Sequence, residues 1–248
     1  MKVVFHDDFY DVYVSDPASE PGRMEAIVDE IEGEVDFVTA NEADYEDLLR
    51  VHSEDHITGV KQEGIYSIAA LAAGGAIQSA EIGLTEPCFG LIRPPGHHAS
   101  SGCSWGFCYF NNMSVALEHL HHKGLIETAF VLDFDMHYGD GNVNILEDKG
   151  YVRLLNPYSH DRDVYMQEVQ KELSVCNVDI IGISAGFDNH IEDWGGLLLT
   201  QDYYDMGQMV KEAALRSGGG YFAILEGGYN HGVIGQNALA LIKGMSLN

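Results

Sequence analysis

Short apolar runs alternate along the chain with longer stretches in which apolar residues recur every three or four positions, the mark of strands and helices in turn. The strand-like runs are Val3 to Phe5, Val35 to Val38, Phe89 to Ile92, Ala129 to Leu132, Val152 to Leu155, Val178 to Ser184 and Tyr221 to Leu225. Between them the spacing predicts helices from Ser19 to Ile31, around Tyr45 to Leu49 with Asn41 as its cap, from His56 to Ile82, from Met113 to His122, from Val164 to Leu173, from Tyr203 to Leu215 and from Asn237 to Met245. The small residues of Ala69 to Ala76 suit close helix packing. Strands that alternate with helices imply crossover connections, so the expected fold class is α/β: a mostly parallel central sheet with helices on both faces. The length of 248 residues, 46% hydrophobic, without a low-complexity tract or linker, predicts one domain over 1–248.

The polar residues that interrupt this pattern gather where the strands end. Ala129 to Leu132 runs into Asp133-Phe-Asp135-Met-His137-Tyr-Gly139-Asp140-Gly141. Residues two apart on an extended segment share a face, so Asp133, Asp135 and His137 can point the same way, two to ligate an ion and the third to orient a neighbour. The plainer alternative, acids that merely face water, suits a single Asp better than this cluster, because crowded carboxylates are costly without a cation. Phe89 to Ile92 runs into Arg93-Pro94-Pro95-Gly96-His97-His98-Ala99, where two prolines stop the strand and hold adjacent imidazoles on a rigid loop. Their opposite directions suit two separate tasks. The loop continues through Trp105, Gly106, Phe107 and Cys108 to Asn112, with aromatics for the walls of a slot and with Tyr109 and Phe110 reading as core. Asp188 and Tyr229 follow the next two long strands. Ligands of open parallel sheets bind beyond the carboxyl ends of the strands, so His97, His98, Asp133, Asp135, His137, Asp140, Asp188 and Tyr229 are expected on one edge. His52 and His56 lie four apart without a third donor nearby and read as structural.

Charge narrows the partners. Against 39 Asp and Glu stand 13 Lys and Arg, a formal net charge of −26. Such a field repels nucleic acid and acidic membrane surfaces and raises the local concentration of cations; solubility or life in a salty cytoplasm explains it equally well. No apolar stretch is long enough to span a membrane and no signal-peptide core opens the chain, so a cytoplasmic protein is expected. Cys88, Cys103, Cys108 and Cys176 show no paired spacing and are expected to be buried free thiols of a reducing compartment.

The blocks Arg93 to Ala99, Gly106 to Asn112, Asp133-x-Asp135-x-His137-x-Gly139-Asp140-Gly141, Ala185 to Asp188 and Glu226-Gly227-Gly228-Tyr229, preceded by Val51-His52-Ser53-x-x-x-Ile57, resemble the signatures of the zinc-dependent histone deacetylase and acetylpolyamine amidohydrolase superfamily. They occur in order from about residue 20 to the end. The resemblance implies the three-layer α/β/α sandwich of the arginase/deacetylase fold and an amide hydrolase acting on acyl-lysine or acetylpolyamine. It implies Zn2+ on Asp135, His137 and Asp188, with Fe2+ also suited to this carboxylate-rich set. It makes His98 the general base, His97 the electrostatic partner of the oxyanion, Asp133 and Asp140 the groups that hold His97 and His98, and Tyr229 a donor to the substrate carbonyl. Gly106, Phe107 and Gly228 are implied in substrate binding, and K+ at backbone carbonyls near Asp133, Asp135 and His137.

The chain departs from that family in being short, with only Lys61 to Gly64 where many members carry an acidic rim loop, and a compact Asn156 to Asp161. The insertion that polyamine-specific relatives use for dimerisation is not apparent, and the sequence does not fix an oligomeric state. A more open mouth is expected, taking an acylated and preferably cationic amine. An arginase-type ureohydrolase needs two metals and a D-x-H-x-D run, where this chain reads D-x-D-x-H. A silent acetyl-ligand sensor would lack Tyr229, His98 or a metal ligand, and all are present.

Overall fold

The computed structural model describes residues 1–247. Seven strands form one sheet: β1 (Lys2–Phe5), β2 (Asp36–Thr39), β3 (Cys88–Gly90), β4 (Ala129–Asp133), β5 (Val152–Leu155), β6 (Ile180–Ala185) and β7 (Gly220–Leu225). All neighbours pair in parallel, in the order β2-β1-β3-β7-β6-β4-β5. The four central strands β3, β7, β6 and β4 are buried at every residue, whereas β2 and β5 lie at the edges and are partly exposed. That is why the central runs are apolar without alternation: helices cover both of their faces.

The helices are α1 (Arg23–Ile31), α2 (Tyr45–Leu49), α3 (Glu54–Gln62), α4 (Tyr66–Gly83), α5 (Asn112–His122), α6 (Asp140–Leu146), α7 (Arg162–Ser174), α8 (Thr200–Ser217) and α9 (Ile234–Met245). Helices α4 and α5 pack on one another, with α4 against β1, β3 and β7, while α1, α9, α8 and α7 form the other layer. This is the three-layer α/β/α architecture expected.

Four local readings need correction. The helix drawn from His56 to Ile82 is two helices, α3 and α4, separated at Gly64. There φ is +78°, and the Gly64 and Ile65 amides donate to the carbonyls of Lys61 and Val60. Those bonds satisfy the last carbonyls of α3, and glycine enters the left-handed region without a Cβ clash. Asn41 does not cap α2, which begins after Asp44; the Asn41 amide is engaged by Gln78 Oε1 at 2.6 Å. Helix α6 has no counterpart in the predicted elements, because it is only seven residues long and begins inside the polar Asp140-Gly141-Asn142 segment. The cysteines are all free, but Cys103 is exposed, since it sits on the loop between β3 and α5 and not in the core as the other three do. Among the described residues no helix is long and apolar enough to cross a membrane.

Candidate metal and catalytic centre

The sheet order decides where the polar residues meet. Chain connection alone would scatter β3, β4, β6 and β7, yet they are consecutive neighbours in the middle of the sheet. Their carboxyl ends therefore deliver His97 and His98, the Asp133 to Asp140 segment, Asp188 and Tyr229 to one edge.

Asp135, His137 and Asp188 lie at its centre, with one ligand atom from each within 4.8 Å of the others. His137 Nδ1 is 3.0 Å from Asp135 Oδ1 and 3.0 Å from Asp188 Oδ2. The remaining lone pairs are partly used by the chain: Asp135 accepts from the amides of His137 at 2.9 Å and Gly227 at 2.9 Å, and Asp188 Oδ1 from the amide of Met136 at 3.0 Å. Asp188 Oδ2 is fully buried, and its one close polar neighbour, His137 Nδ1, directs its hydrogen bond to Asp135 instead, so this oxygen has no aligned donor among the described residues. A buried carboxylate oxygen left unsatisfied is costly. Gly227 leaves room for the cluster: a Cβ there would come 2.5 Å from Asp135 Oδ2 and 2.7 Å from Asp188 Oδ2.

Without a cation, two buried carboxylates must share the one imidazole. The hydrogen bond to Asp135 and the adjacent Asp188 carboxylate push His137 up to about 10, while burial and the Asp135 charge raise Asp188. Asp135 is held below the usual range: the charges of His97 and His137 and the bonds from His137 outweigh its burial. A divalent cation would satisfy the same charge demand, and one imidazole with two carboxylates is a donor set that suits it. The residues present fit a metal.

Two histidine–carboxylate pairs flank the cluster. His97 Nδ1 is 3.2 Å from Asp133 Oδ2, and Asp133 is held in turn by Asn142 Nδ2 at 3.0 Å. His98 Nδ1 is 2.7 Å from Asp140 Oδ1, whose other oxygen accepts from Trp105 Nε1 at 2.9 Å. Each carboxylate fixes the proton of its imidazole on Nδ1 and leaves Nε2 for other work. The two rings lie 4.0 Å apart but differ electrostatically. Burial and the neighbouring His97 lower His98 to about 4, so it is neutral at pH 7. Burial also opposes charge on His97, but the carboxylates of Asp135 and Asp133 outweigh it and hold that imidazole well above its usual range. Adjacent histidines with separated protonation states suit a base beside a positive charge.

Tyr229 completes the edge. Its amide and that of Asn230 donate to Asp193 Oδ2 at 2.8 Å each, and its ring stacks on Trp194 at 4.0 Å and meets Phe107 edge-on at 5.9 Å. Burial and the charges of Asp135 and Asp188 raise the phenol beyond its ordinary value, so it remains a hydrogen-bond donor. Gly106 and Phe107 both have positive φ, +58° and +68°, and this tight turn brings the loop against His98. Gly228 at φ +114° lies below the surface, with its carbonyl held by Arg23 Nε at 2.8 Å. His52 is structural, as its sequence context implied: Nδ1 meets Ser100 O at 3.0 Å and Nε2 accepts from the Asn111 amide at 2.9 Å.

Several supporting residues escaped the sequence reading. Glu226, fully buried, accepts from the amides of Gly96 and His97 at 2.7 and 3.2 Å and so locks the two loops together. Burial raises it to about 7. Arg23 also holds Glu226 O at 2.7 Å. An arginine on an otherwise apolar helix face in so acidic a chain was the available signal for Arg23; for Asp193 there was none, since the amides it accepts from are 36 and 37 positions away.

Comparison with known proteins agrees with this geometry. Residues 17–179 match the histone deacetylase domain. This chain belongs to the histone deacetylase family. A probable deacetylase of Archaeoglobus fulgidus is 30% identical over 98% of this chain and 86% of its own length. A histone deacetylase-like amidohydrolase of Pseudomonas aeruginosa is 30% identical over 84% of this chain and 70% of its own. The crystal structure of the HDA15 HD domain shares the fold, with a TM-score of 0.85 at 24% identity, covering 98% of this chain and 88% of that one. With its family goes its class: a hydrolase acting on amide bonds. The A. fulgidus alignment runs over 310 positions against 248 residues here, so that relative carries segments with no counterpart in this chain.

Proposed function

We propose that this protein removes acetyl or related acyl groups from N-acylated amines, acyl-lysine or acetylpolyamine, with a single Zn2+ or Fe2+ held by Asp135, His137 and Asp188. The observation that carries this is the convergence of those three donors, among them the unsatisfied Asp188 Oδ2, beside the two oriented histidines. The chemistry such an ion supplies when bound is Lewis acidity, toward the acyl carbonyl and toward water. K+ at the backbone carbonyls around Asp133, Asp135 and His137 belongs to the same proposal.

The chain's own groups then divide the work. His98, neutral and with Nδ1 engaged by Asp140, takes the proton of the attacking water at Nε2 and returns it to the leaving nitrogen. His97, held by Asp133 beside His98, supplies a hydrogen-bond donor and positive charge toward the negative charge that develops on the carbonyl oxygen. Tyr229 donates its hydroxyl to that oxygen. Gly106 and Phe107 line the passage for the acyl-bearing chain, and the buried Gly228 carbonyl anchors the Tyr229 turn to Arg23.

Acetate release from an acetyl-lysine peptide and from an acetylated polyamine tests the proposal when wild type is set beside Asp188→Ala. The variant should lose both metal and turnover, because a cation left with two protein ligands binds weakly. Full metal retention by Asp188→Ala would remove that residue from the ligand set.

A further inference from the structure

We propose that Trp105 is a positioning residue for the proton-transferring pair of His98 and Asp140, an inference that rests on the role of His98 given above. The two histidine–carboxylate pairs are supported differently. Asp133 is buried, its side chain 1% exposed, and Asn142 shares its Oδ2 with His97, so the inner pair is held by the core. Asp140 has a side chain 34% exposed, and water at the mouth competes for its oxygens. Trp105 supplies there what burial supplies to Asp133. Its indole N–H occupies Asp140 Oδ2 at 2.9 Å while His98 Nδ1 occupies Oδ1 at 2.7 Å, so one carboxylate sets the planes of both rings. The rings stack at 3.8 Å and 29°, which covers one face of the imidazole.

Trp105 has little other reason to be where it is. It is 54% exposed and contributes nothing to the core. The turn that brings it back is strained: Gly106 and Phe107 are both left-handed, and a Cβ on Gly106 would lie 2.4 Å from His98 Cδ2. A phenylalanine at positive φ persists only where its surroundings over-determine it, and such sites cluster where function needs them. A residue that merely lined the slot would need neither the shared carboxylate nor the parallel stack.

The test is a double-mutant cycle on the metal-loaded enzyme with an acetyl-lysine peptide. Trp105→Phe keeps an aromatic face and removes the N–H; its side chain is half exposed, so no core cavity opens. It is expected to lower kcat by about 10- to 100-fold with KM little changed, the range for a hydrogen bond to a charged group. In an Asp140→Ala background the same substitution should have almost no effect, because the group it acts through is gone. A raised KM with kcat intact, or the full loss repeated in the Asp140→Ala background, would overturn the proposal. The ring nitrogen shifts of His98 read the same coupling by NMR without turnover. One tautomer, protonated at Nδ1, is expected in the wild type and a mixture in Trp105→Phe; identical spectra would equally defeat the role of Trp105. A wild type inactive on every acylated amine would instead defeat the functional reading and leave the NMR comparison to decide on Trp105.

Discussion

Tyr229 shows how much of the site depends on groups that no single motif contains. Its hydroxyl makes no hydrogen bond among the described residues, whereas its backbone is tied by Asp193 and its ring by Trp194 and Phe107. The side chain is therefore held from behind with its donor free. Tyr229→Phe removes that donor and nothing else, and should lower kcat by about 100- to 1000-fold with metal content unchanged. Steady-state kinetics with metal analysis check this; near-normal turnover would mean that another group polarises the carbonyl. At this scale the sequence was informative for residues bearing unusual chemistry next to a strand end, as His97, His98, Asp135 and His137 do. It was silent on those that act through long-range hydrogen bonds. Glu226 reads as one more acid, and only the fold brings its carboxylate to amides 129 and 130 positions away.

Among the elements, the connection of α2 and α3 to the loop between β3 and α5 gives a second measurable consequence. His52, between these helices, bridges Ser100 O and the Asn111 amide, so both ring nitrogens are committed in the neutral form. A proton on Nε2 would face an N–H donor. Burial, with the neighbouring His56, lowers His52 from 6.5 to about 3. The folded value lies below the unfolded one, so the contribution to stability is complete above pH 6.5 and is lost as pH falls toward 3. The slope from this residue alone is about 1.4 kcal/mol per pH unit. Urea unfolding at pH 7.5, 6 and 5 should show a shallower dependence in His52→Gln, whose amide offers one donor and one acceptor without titrating. Equal slopes would show that His52 charges freely in the fold. Element types were largely legible, since periodicity distinguishes buried strands from amphipathic helices. Boundaries failed where a local bond decided them, as at Gly64, whose Schellman closure splits an apolar pattern that continues on both sides, and at α6, too short to show a period.

The whole molecule adds topology and charge. Placing β7 and β6 between β3 and β4 is what turns four separate strand ends into one site, and that order is invisible to any local pattern. The net charge of −26 surrounds it. If that field guides substrates, kcat/KM for an acetylated polyamine should fall as salt rises while that for a neutral acetylated amide stays nearly constant, because screening shortens the reach of the field and leaves the enclosed chemical step untouched. Parallel salt curves for the two substrates would assign the charge to solubility or salt adaptation. The central claim is that one metal ion at Asp135, His137 and Asp188 makes this chain an amide hydrolase. Its most direct test is deacetylation by protein stripped with a chelator and titrated with Zn2+. Turnover should vanish on stripping and return in proportion to metal, saturating at one ion per chain; activity that survives stripping, or that saturates only at two ions, would contradict the account.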